Sequence, residues 1–221
     1  MLIAGAVDLE SLLAGLVAHR PVFHSEADFQ LALGWELRQC DPAMRVRLET
    51  RPEPGTHLDL SCERPDLHRF TALELKYLTR SWSGEHEGER YDLRNQWAQD
   101  TRGYDVVKDI SRVERFVAGR PGSDGAVVVI TNDPYYWGPK SRGHGTTNAE
   151  AFRIGEGTVL SGVREWGPKT GAGTNKGRQV AIPLRGTYTL RWQDYSTVVI
   201  SGTRATRFRL LVVPVRPEGS P

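Results

Sequence analysis

The segment Phe70–Thr79 constrains the fold of this chain more than any other. Its sequence, FTALELKYLT, is an apolar run that favours a strand, yet it carries Glu74 and Lys76 two residues apart. Successive side chains of a strand point to opposite faces, so these two charged groups project from the same face. Burying such a pair is costly unless other groups compensate for it. The pair is therefore either solvated on an exposed face or part of a site, such as one that handles a metal ion and water.

The composition is that of a globular chain. Hydrophobic residues make up 38% and charged residues 25%, which argues against a largely disordered protein. A length of 221 residues can bury one sizeable core, and we expect a single domain over residues 1–221. The formal net charge of +2 does not exclude a nucleic-acid partner, because acidic metal ligands can offset basic residues gathered elsewhere.

The cysteines and the N-terminal segment bear on the location of the protein. Cys40 and Cys62 form neither a zinc-site spacing nor a disulfide framework, which favours a reducing cytoplasm. The segment Met1–Val17 is apolar, but Asp8 and Glu10 interrupt it, and it is too short to span a bilayer. We expect a helix that docks on the core, no signal peptide and no membrane partner.

A second helix is predicted to begin after Ser25, which is a suitable N-cap with Asp28 three residues further on. Apolar residues then recur at helical spacing at Phe29, Leu33 and Leu37. Glu26 lies in the first turn of this helix. A carboxylate there is stabilised by the helix dipole, so capping alone can account for it.

Three strands are predicted to follow as an antiparallel meander. The segments Met44–Thr50 and Thr56–Cys62 alternate apolar and polar residues on either side of a Pro-Gly turn, and Phe70–Thr79 is the third strand. Asp59 lies on the polar face of the second strand. His57 shares that face, either as a ligand or second-shell donor beside Asp59 or as an exposed histidine.

The next part of the chain predicts a helix and a buried strand. Ser81–Tyr91 is polar and contains glycine, which predicts an exposed, mobile loop. A helix is expected from about Asn95 to Ala118, in which Gly103 is a tolerated flaw. The β-branched run Gly125–Thr131 predicts a strand buried on both faces and parallel to an earlier one.

Beyond residue 132 the pattern becomes looser. Pro134–Thr147 and Gly167–Arg178 are rich in glycine, proline and basic residues and predict surface loops. Three further segments read as strands that could extend the sheet: Gln179–Pro183, Thr187–Trp192 and Phe208–Val215.

The order of these elements and charged residues resembles the PD-(D/E)XK nuclease superfamily, whose shared core is an αβββαβ succession. Asp59 matches the first acid of the motif, Glu74 and Lys76 match its E-x-K half, and Glu26 matches the helix carboxylate that many members place near the metals. Leu58 stands where the name of the motif has proline.

The resemblance covers about residues 20–132. It implies an α/β protein with a mixed sheet of α+β type, built on a restriction-endonuclease-like αβββαβ core. Residues from about 133 to 221 would form a C-terminal β-rich extension.

The resemblance also implies a chemistry. Mg²⁺, which Mn²⁺ can replace, would be held by Asp59, Glu74 and the main-chain carbonyl of Leu75, with Glu26 completing a second site. Lys76 would stand beside the attacking water, where it can orient that water, lower its pKa or neutralise charge on the phosphate. The expected activity is metal-dependent hydrolysis of phosphodiester bonds, with DNA as the expected substrate.

Further residues are candidates for contacting nucleic acid. Gln99 and Tyr104 are similar in kind to a Gln and a Tyr that RecB-like members carry on this helix, although their separation is one residue longer. Lys108 and Arg112 could contact a phosphate or pair with neighbouring acids on the helix. Other basic residues lie in the Gly-rich loops, where they either contact a phosphate backbone or are simply solvated: Lys140, Arg142, His144, Lys169, Lys176 and Arg178.

Three interpretations of the function remain open from sequence. The protein is a DNA nuclease, a catalytically silent nuclease-like module that binds nucleic acid or a partner protein, or a module acting on RNA. Burial of Lys76 in an ion pair with an acid outside the site would favour the silent form, as would failure of Asp59, Glu74 and Lys76 to converge. A homodimer would supply two copies of the site for cutting both strands of a duplex.

Overall fold

The computed structural model describes residues 1–138, 147–199 and 205–217. Strands dominate these residues, and two long helices pack against them. In chain order the elements are β1 (Leu2–Ile3), β2 (Val7–Asp8), α1 (Leu9–Val17), α2 (Glu26–Cys40), β3 (Arg45–Thr50), β4 (Leu58–Arg64), β5 (Arg69–Leu78), β6 (Trp82–His86), β7 (Glu89–Leu93), α3 (Gln99–Val117), β8 (Ser123–Thr131), β9 (Val159–Arg164), α4 (Ala172–Asn175), β10 (Ile182–Thr189), β11 (Trp192–Val198) and β12 (Thr206–Val215).

Six strands form one mixed sheet in the order β11-β12-β8-β5-β4-β3. The predicted meander is confirmed, because β3, β4 and β5 pair antiparallel in succession. The predicted parallel strand is also confirmed, since β8 pairs parallel to β5 from Phe70 opposite Ser123 to Leu78 opposite Thr131. A parallel pair needs a crossover, which α3 supplies. The protein is thus of mixed α/β class.

The two faces of this sheet are covered by different helices. On one face, α1 and α2 pack on the apolar residues of β4, β5 and β8 that include Leu73, Leu75 and Val128. On the other face, α3 packs on residues that include Ala72 and Val127. Strand β5 therefore has one face toward α2 and the other toward α3.

The start of α2 follows the sequence expectation. Ser25 is its N-cap, and the Ser25 hydroxyl accepts a hydrogen bond from the Asp28 N–H at 3.1 Å. The three apolar residues predicted to face the core are fully buried: Phe29, Leu33 and Leu37. The cap fixes where the helix begins, and it thereby places Glu26 in the first turn.

Helix α3 begins at Gln99, four residues later than the predicted Asn95. Ala98 has a left-handed backbone with φ of 65°, which separates the exposed Trp97 from the helix. Gly103 is required and is not a flaw, because a Cβ there would lie 2.3 Å from the Phe152 carbonyl oxygen. The chain segment at Phe152 therefore packs directly on the helix backbone.

The prediction of one helix over Met1–Val17 is wrong for the first eight residues. These form the small antiparallel pair of β1 and β2, and Gly5 between them has a left-handed φ of 71°. The helix starts only after Asp8, whose carboxylate accepts a hydrogen bond from the Ser11 N–H at 2.9 Å. A strong N-cap inside the apolar run thus sets the boundary.

The prediction of a loop at Ser81–Tyr91 is also wrong, because these residues contribute to the hairpin of β6 and β7. Glu87 and Gly88 both have left-handed backbones, with φ of 51° and 83°. A two-residue hairpin turn of type I′ requires a positive φ at both of its central residues. Tyr91 is buried and its ring stacks on His24, with 4.5 Å between the ring centroids. The hairpin is held by this packing.

The C-terminal strands follow the prediction only in part. Phe208–Val215 lies in β12, which extends the main sheet beside β8, and β11 pairs with its outer edge. The other two predicted segments overlap β10 only at Ile182–Pro183 and Thr187–Thr189, and β10 pairs with β9 in a separate two-stranded sheet. Leu184 and Tyr188 of β10 are buried against α3, so this small sheet covers the outer side of that helix.

Candidate functional site

The candidate site forms where β4 and β5 separate. Their antiparallel pairing ends at Leu60 opposite Leu73. Beyond that point, the N–H groups of β5 on this edge are bound by carboxylates instead of by a strand. The Leu75 N–H donates to Asp59 Oδ2 at 2.7 Å, and the Tyr77 N–H donates to Glu26 Oε2 at 2.9 Å. Two predicted site acids from different elements therefore meet on the same stretch of β5.

Glu74 and Lys76 lie on the face of β5 that points to α3, as their spacing predicted. Glu74 is fully buried, and Arg112 binds its carboxylate through two bonds, with Nε 2.9 Å from Oε1 and Nη2 2.5 Å from Oε2. The Lys76 ammonium lies 2.8 Å from Asp109 Oδ2 and 4.0 Å from Glu26 Oε1. It also donates to the Leu75 carbonyl at 2.9 Å. The pair is therefore buried and compensated, not solvated.

Asp109 and Arg112 lie in the candidate site, although the sequence did not place them there. Arg112 Nη2 is 2.9 Å from Asp109 Oδ1, so one guanidinium joins Asp109 to Glu74. A signal was present, since Asp105, Asp109 and Arg112 recur four and three residues apart and must share a helix face. We call the group formed by Glu26, Asp59, Glu74, Lys76, Asp109 and Arg112 the charge cluster.

Burial and mutual repulsion set the ionisation of the charge cluster. Burial raises the pKa of Glu74, and the neighbouring carboxylates of Asp109 and Asp59 raise it further. Burial likewise raises the pKa of Asp59 and of Glu26, although Lys76 opposes both shifts. Burial alone would lower the pKa of Lys76, but Asp109 and Glu26 outweigh it and raise that pKa. Lys76 therefore remains an ammonium ion at neutral pH.

The donor atoms of the charge cluster suit a hard divalent cation in type. Glu26, Asp59, Glu74 and the Leu75 carbonyl present oxygen atoms, which Mg²⁺ prefers. The carboxyl groups of Asp59 and Glu74 lie close enough for each to shift the pKa of the other. However, Arg112 occupies both Glu74 oxygens, and no group of three His, Cys, Asp or Glu within the described ranges is already arranged to hold a metal. An ion that is to bind Glu74 through both oxygens therefore competes with Arg112.

The predicted nucleic-acid contacts on α3 separate into three environments. Gln99 lies at the start of the helix, and its side chain donates to Asp133 Oδ2 at 3.4 Å, outside the charge cluster. Tyr104 is buried, with its ring stacked on Trp166 and edge-on to Phe152, so it serves the core. Lys108 is exposed on the helix surface. Only Lys108 has the accessibility that a phosphate contact needs.

The basic loop residues also differ in position. Lys169 and Lys176 are exposed, and Lys140, Arg142 and His144 lie outside the described residues. Arg178 is half-buried, and its charge acts on Tyr104 and Asp105 of α3. Arg178, Lys76 and Asp109 all lie close enough to Asp105 of α3 to shift its pKa.

Four other residues, His57 and the aromatic residues 135 to 137, have their contacts outside the charge cluster. His57 is exposed and faces Glu49 at 3.8 Å, so it is not a partner of Asp59. Tyr136 is buried, whereas Tyr135 is partly exposed and its hydroxyl donates to Asp100 at 2.5 Å. Trp137 packs against Trp192 with 6.2 Å between the ring centroids. These three aromatics line the rim of the core.

Comparison of the chain with protein-family models, curated proteins and solved structures gave no match. Within the ranges that the structure describes, no helix is both long and apolar enough to cross a membrane. The chemistry of the charge cluster is thus the feature from which a function can be inferred.

Proposed function

We propose that this protein is a Mg²⁺-dependent nuclease with a restriction-endonuclease-like core. The observation that carries the proposal is the meeting of Asp59, Glu74 and Lys76 where β4 and β5 separate. The succession α2-β3-β4-β5-α3-β8, with the β6–β7 hairpin inserted between β5 and α3, also agrees with an αβββαβ core. A structural ion pair on β5 would need one acid and one base, whereas this site gathers acids from α2, β4, β5 and α3.

Each member of the charge cluster has a role in this proposal. Asp59, Glu74 and the Leu75 carbonyl would hold the ion, and Glu26 would hold a second one. Bound Mg²⁺ would supply an activated water and neutralise charge on the phosphate. Lys76 is protonated and its side chain is 16% exposed, so it can face a phosphate oxygen and stabilise the charge that develops there. A protonated lysine cannot accept the proton of the attacking water. The proposed role of Lys76 is therefore to stabilise the charge that develops on the phosphate.

DNA is the proposed substrate, and a homodimer in the cytoplasm is the proposed form for cutting both strands. Lys108, Lys169 and Lys176 are exposed, which supports a partner rich in phosphate. Exposed ammonium groups can pair with the phosphate backbone of a nucleic acid. Arg178, beside α3, would bring a further cation toward the charge cluster.

The proposal is tested by cleavage of linear, circular and single-stranded DNA, with RNA alongside, in Mg²⁺, Mn²⁺ or EDTA. We expect the wild type to cut in the presence of metal, and Asp59→Ala and Lys76→Ala to lose about 10²-fold or more of the rate. Asp194→Ala is a matched control, because Asp194 is an exposed acid on β11. Equal cutting by wild type, Asp59→Ala and Lys76→Ala would contradict the assignment, as would no cutting under any metal.

A second candidate is the catalytically silent module, and a specific observation favours it. Lys76 pairs with Asp109, an acid that the motif does not include, and Arg112 saturates Glu74. In a silent protein these contacts would be permanent structural ion pairs. Fluorescence anisotropy with labelled DNA in EDTA and in Mg²⁺ separates the two candidates, because the silent module would bind without cutting under either condition.

A further inference from the structure

We propose that the Arg112 guanidinium and a divalent cation are alternative partners of the Glu74 carboxylate. Arg112 would thus be a built-in competitor that lowers the affinity of the site for a cation. This inference rests on the proposed function, since Glu74 is one of the acids that would hold the ion.

The first step of the argument is the position of the guanidinium. Arg112 binds both oxygens of Glu74 and one oxygen of Asp109 at distances of 2.5 to 2.9 Å. Glu74 is fully buried and Asp109 nearly so. A cation that is to bind both oxygens of Glu74 in a bidentate manner would therefore occupy the positions that the Arg112 guanidinium now holds.

The second step is the balance of charge. The charge cluster contains four carboxyl groups and two cations. The carboxyl groups belong to Glu26, Asp59, Glu74 and Asp109, and the cations are Lys76 and Arg112. A guanidinium contributes a single delocalised charge, whereas Mg²⁺ contributes two charges in a small volume. When all four carboxyl groups are ionised, as metal binding requires, Mg²⁺ in place of Arg112 would bring the sum of the charges closer to zero.

The third step is that Arg112 has somewhere to go. Its side chain is 20% exposed and extends from a helix whose preceding turn carries the exposed Lys108. A released guanidinium would lie beside Lys108 at the mouth of the site. There its planar donors would match two phosphate oxygens. Displacement by the ion would thus also place a cation where the substrate backbone approaches.

Lys76 provides a contrast within the same site. Its ammonium contacts Asp109, Glu26 and the Leu75 carbonyl, and it makes no bond to Glu74 among the described contacts. Removal of Lys76 would leave Glu74 bound to Arg112. The competition is therefore specific to Arg112.

The test is a Mg²⁺ titration by isothermal calorimetry and by thermal unfolding, with no substrate present. Wild type is compared with Arg112→Met and with Arg115→Met, a control at an exposed arginine on the same helix. We expect Arg112→Met to bind Mg²⁺ about tenfold or more tightly than wild type, and Arg115→Met to bind as wild type does. Equal or weaker binding by Arg112→Met overturns the inference.

A measurement on the wild type covers the case in which Arg112→Met does not fold. The Nε–H signal of Arg112 in a ¹⁵N spectrum, assigned by its absence from Arg112→Lys, reports the contact with Glu74. We expect saturating Mg²⁺ to move this signal to the position of a solvated arginine. A signal that stays in place while Mg²⁺ binds overturns the inference.

Cleavage assays on the same proteins separate this inference from the proposed function. Metal-dependent cutting by wild type together with unchanged Mg²⁺ affinity in Arg112→Met rejects the competitor and retains the nuclease. Tighter Mg²⁺ binding by Arg112→Met without cutting by either protein retains the competitor and rejects the nuclease.

Discussion

The two ends of β5 differ in how their backbone is satisfied. From Arg69 to Leu73 the strand has β4 on one edge and β8 on the other. From Leu75 onward, β8 continues but β4 has turned away, and the acids Asp59 and Glu26 accept the N–H groups on the open edge. On the same edge Gln96 donates its side-chain amide to the Tyr77 carbonyl at 3.0 Å. Side chains thus do at one end what a strand does at the other.

This difference explains why acids collect in the interior. A buried N–H group needs an acceptor, and a carboxylate is a strong one. Where the pairing with β4 ends, Asp59 and Glu26 provide these acceptors, and Lys76 lies 4.0 Å from Glu26. The gap in the pairing of β5 and the charge cluster therefore lie at the same place.

The largest effect on stability is expected at the fully paired end. Leu73 is completely buried on β5, so Leu73→Ala should lower the free energy of unfolding by about 2–5 kcal/mol. Val163→Ala, at an exposed site on β9, is the control and should change it by less than about 0.5 kcal/mol. Urea unfolding measures both. Folded Leu73→Ala should still cut DNA, and loss of cutting would show that the two ends are not separable.

Asp59 allows the backbone role and the charge role to be separated. Asp59→Asn keeps an acceptor for the Leu75 N–H, whereas Asp59→Ala leaves that donor unsatisfied. We expect Asp59→Ala to be less stable than Asp59→Asn by about 1–3 kcal/mol in urea unfolding. Both should lose cleavage. Equal stability of the two variants would mean that the open edge of β5 does not depend on Asp59.

A smaller effect is expected at Gln96. Gln96→Ala removes the side-chain donor of the Tyr77 carbonyl but retains the main-chain bond from the Gln96 N–H to Thr79. The free energy of unfolding should fall by about 1 kcal/mol. Gln193→Ala, an exposed position on β11, serves as the comparison. A loss as small as that of Gln193→Ala would show that water satisfies the Tyr77 carbonyl equally well.

The smallest effect concerns an acid at the paired end. Burial raises the pKa of Asp124, although the Thr71 hydroxyl and Arg69 oppose the shift. The folded state therefore holds this proton more strongly than the unfolded state. The resulting stability is fully present below the ordinary pKa of 3.8 and is lost as the pH rises through the raised value. We expect this decline to be smaller in Asp124→Asn than in wild type when unfolding is measured over a pH series, with Asp194→Asn behaving as wild type.

Features that depend on neighbouring residues were predictable from sequence. The N-cap at Ser25 involves only Asp28, three residues away. The β-branched residues of Gly125–Thr131 by themselves indicate a buried strand. The meander follows from alternation and short turns. These features fix the α/β class and the positions of Glu26, Asp59, Glu74 and Lys76 in their elements.

Features that depend on distant residues were not predictable in the same way. Tyr91 is covered by His24, which precedes the meander in the chain, whereas Tyr91 follows it. The residues next to Tyr91 in sequence are polar, so they did not indicate a hairpin. Helical spacing placed Asp109 and Arg112 on one face of α3, but the crossover to β8 decides that this face meets Glu74. Tyr104 was predicted to contact nucleic acid at the surface, but Phe152 and Trp166, from the C-terminal part of the chain, pack against its ring.

The parallel pairing of β5 with β8 has a consequence for folding during synthesis. The ribosome releases the meander of β3, β4 and β5 before α3 and β8, and domains begin to fold from the N-terminal side. Until α3 emerges, Glu74 has neither Arg112 nor the cover of the helix, and it must remain hydrated or protonated. Glu74 can therefore be buried only after about forty residues beyond β5 have been added. Packing of α3 on the nascent sheet is then the step that completes the core.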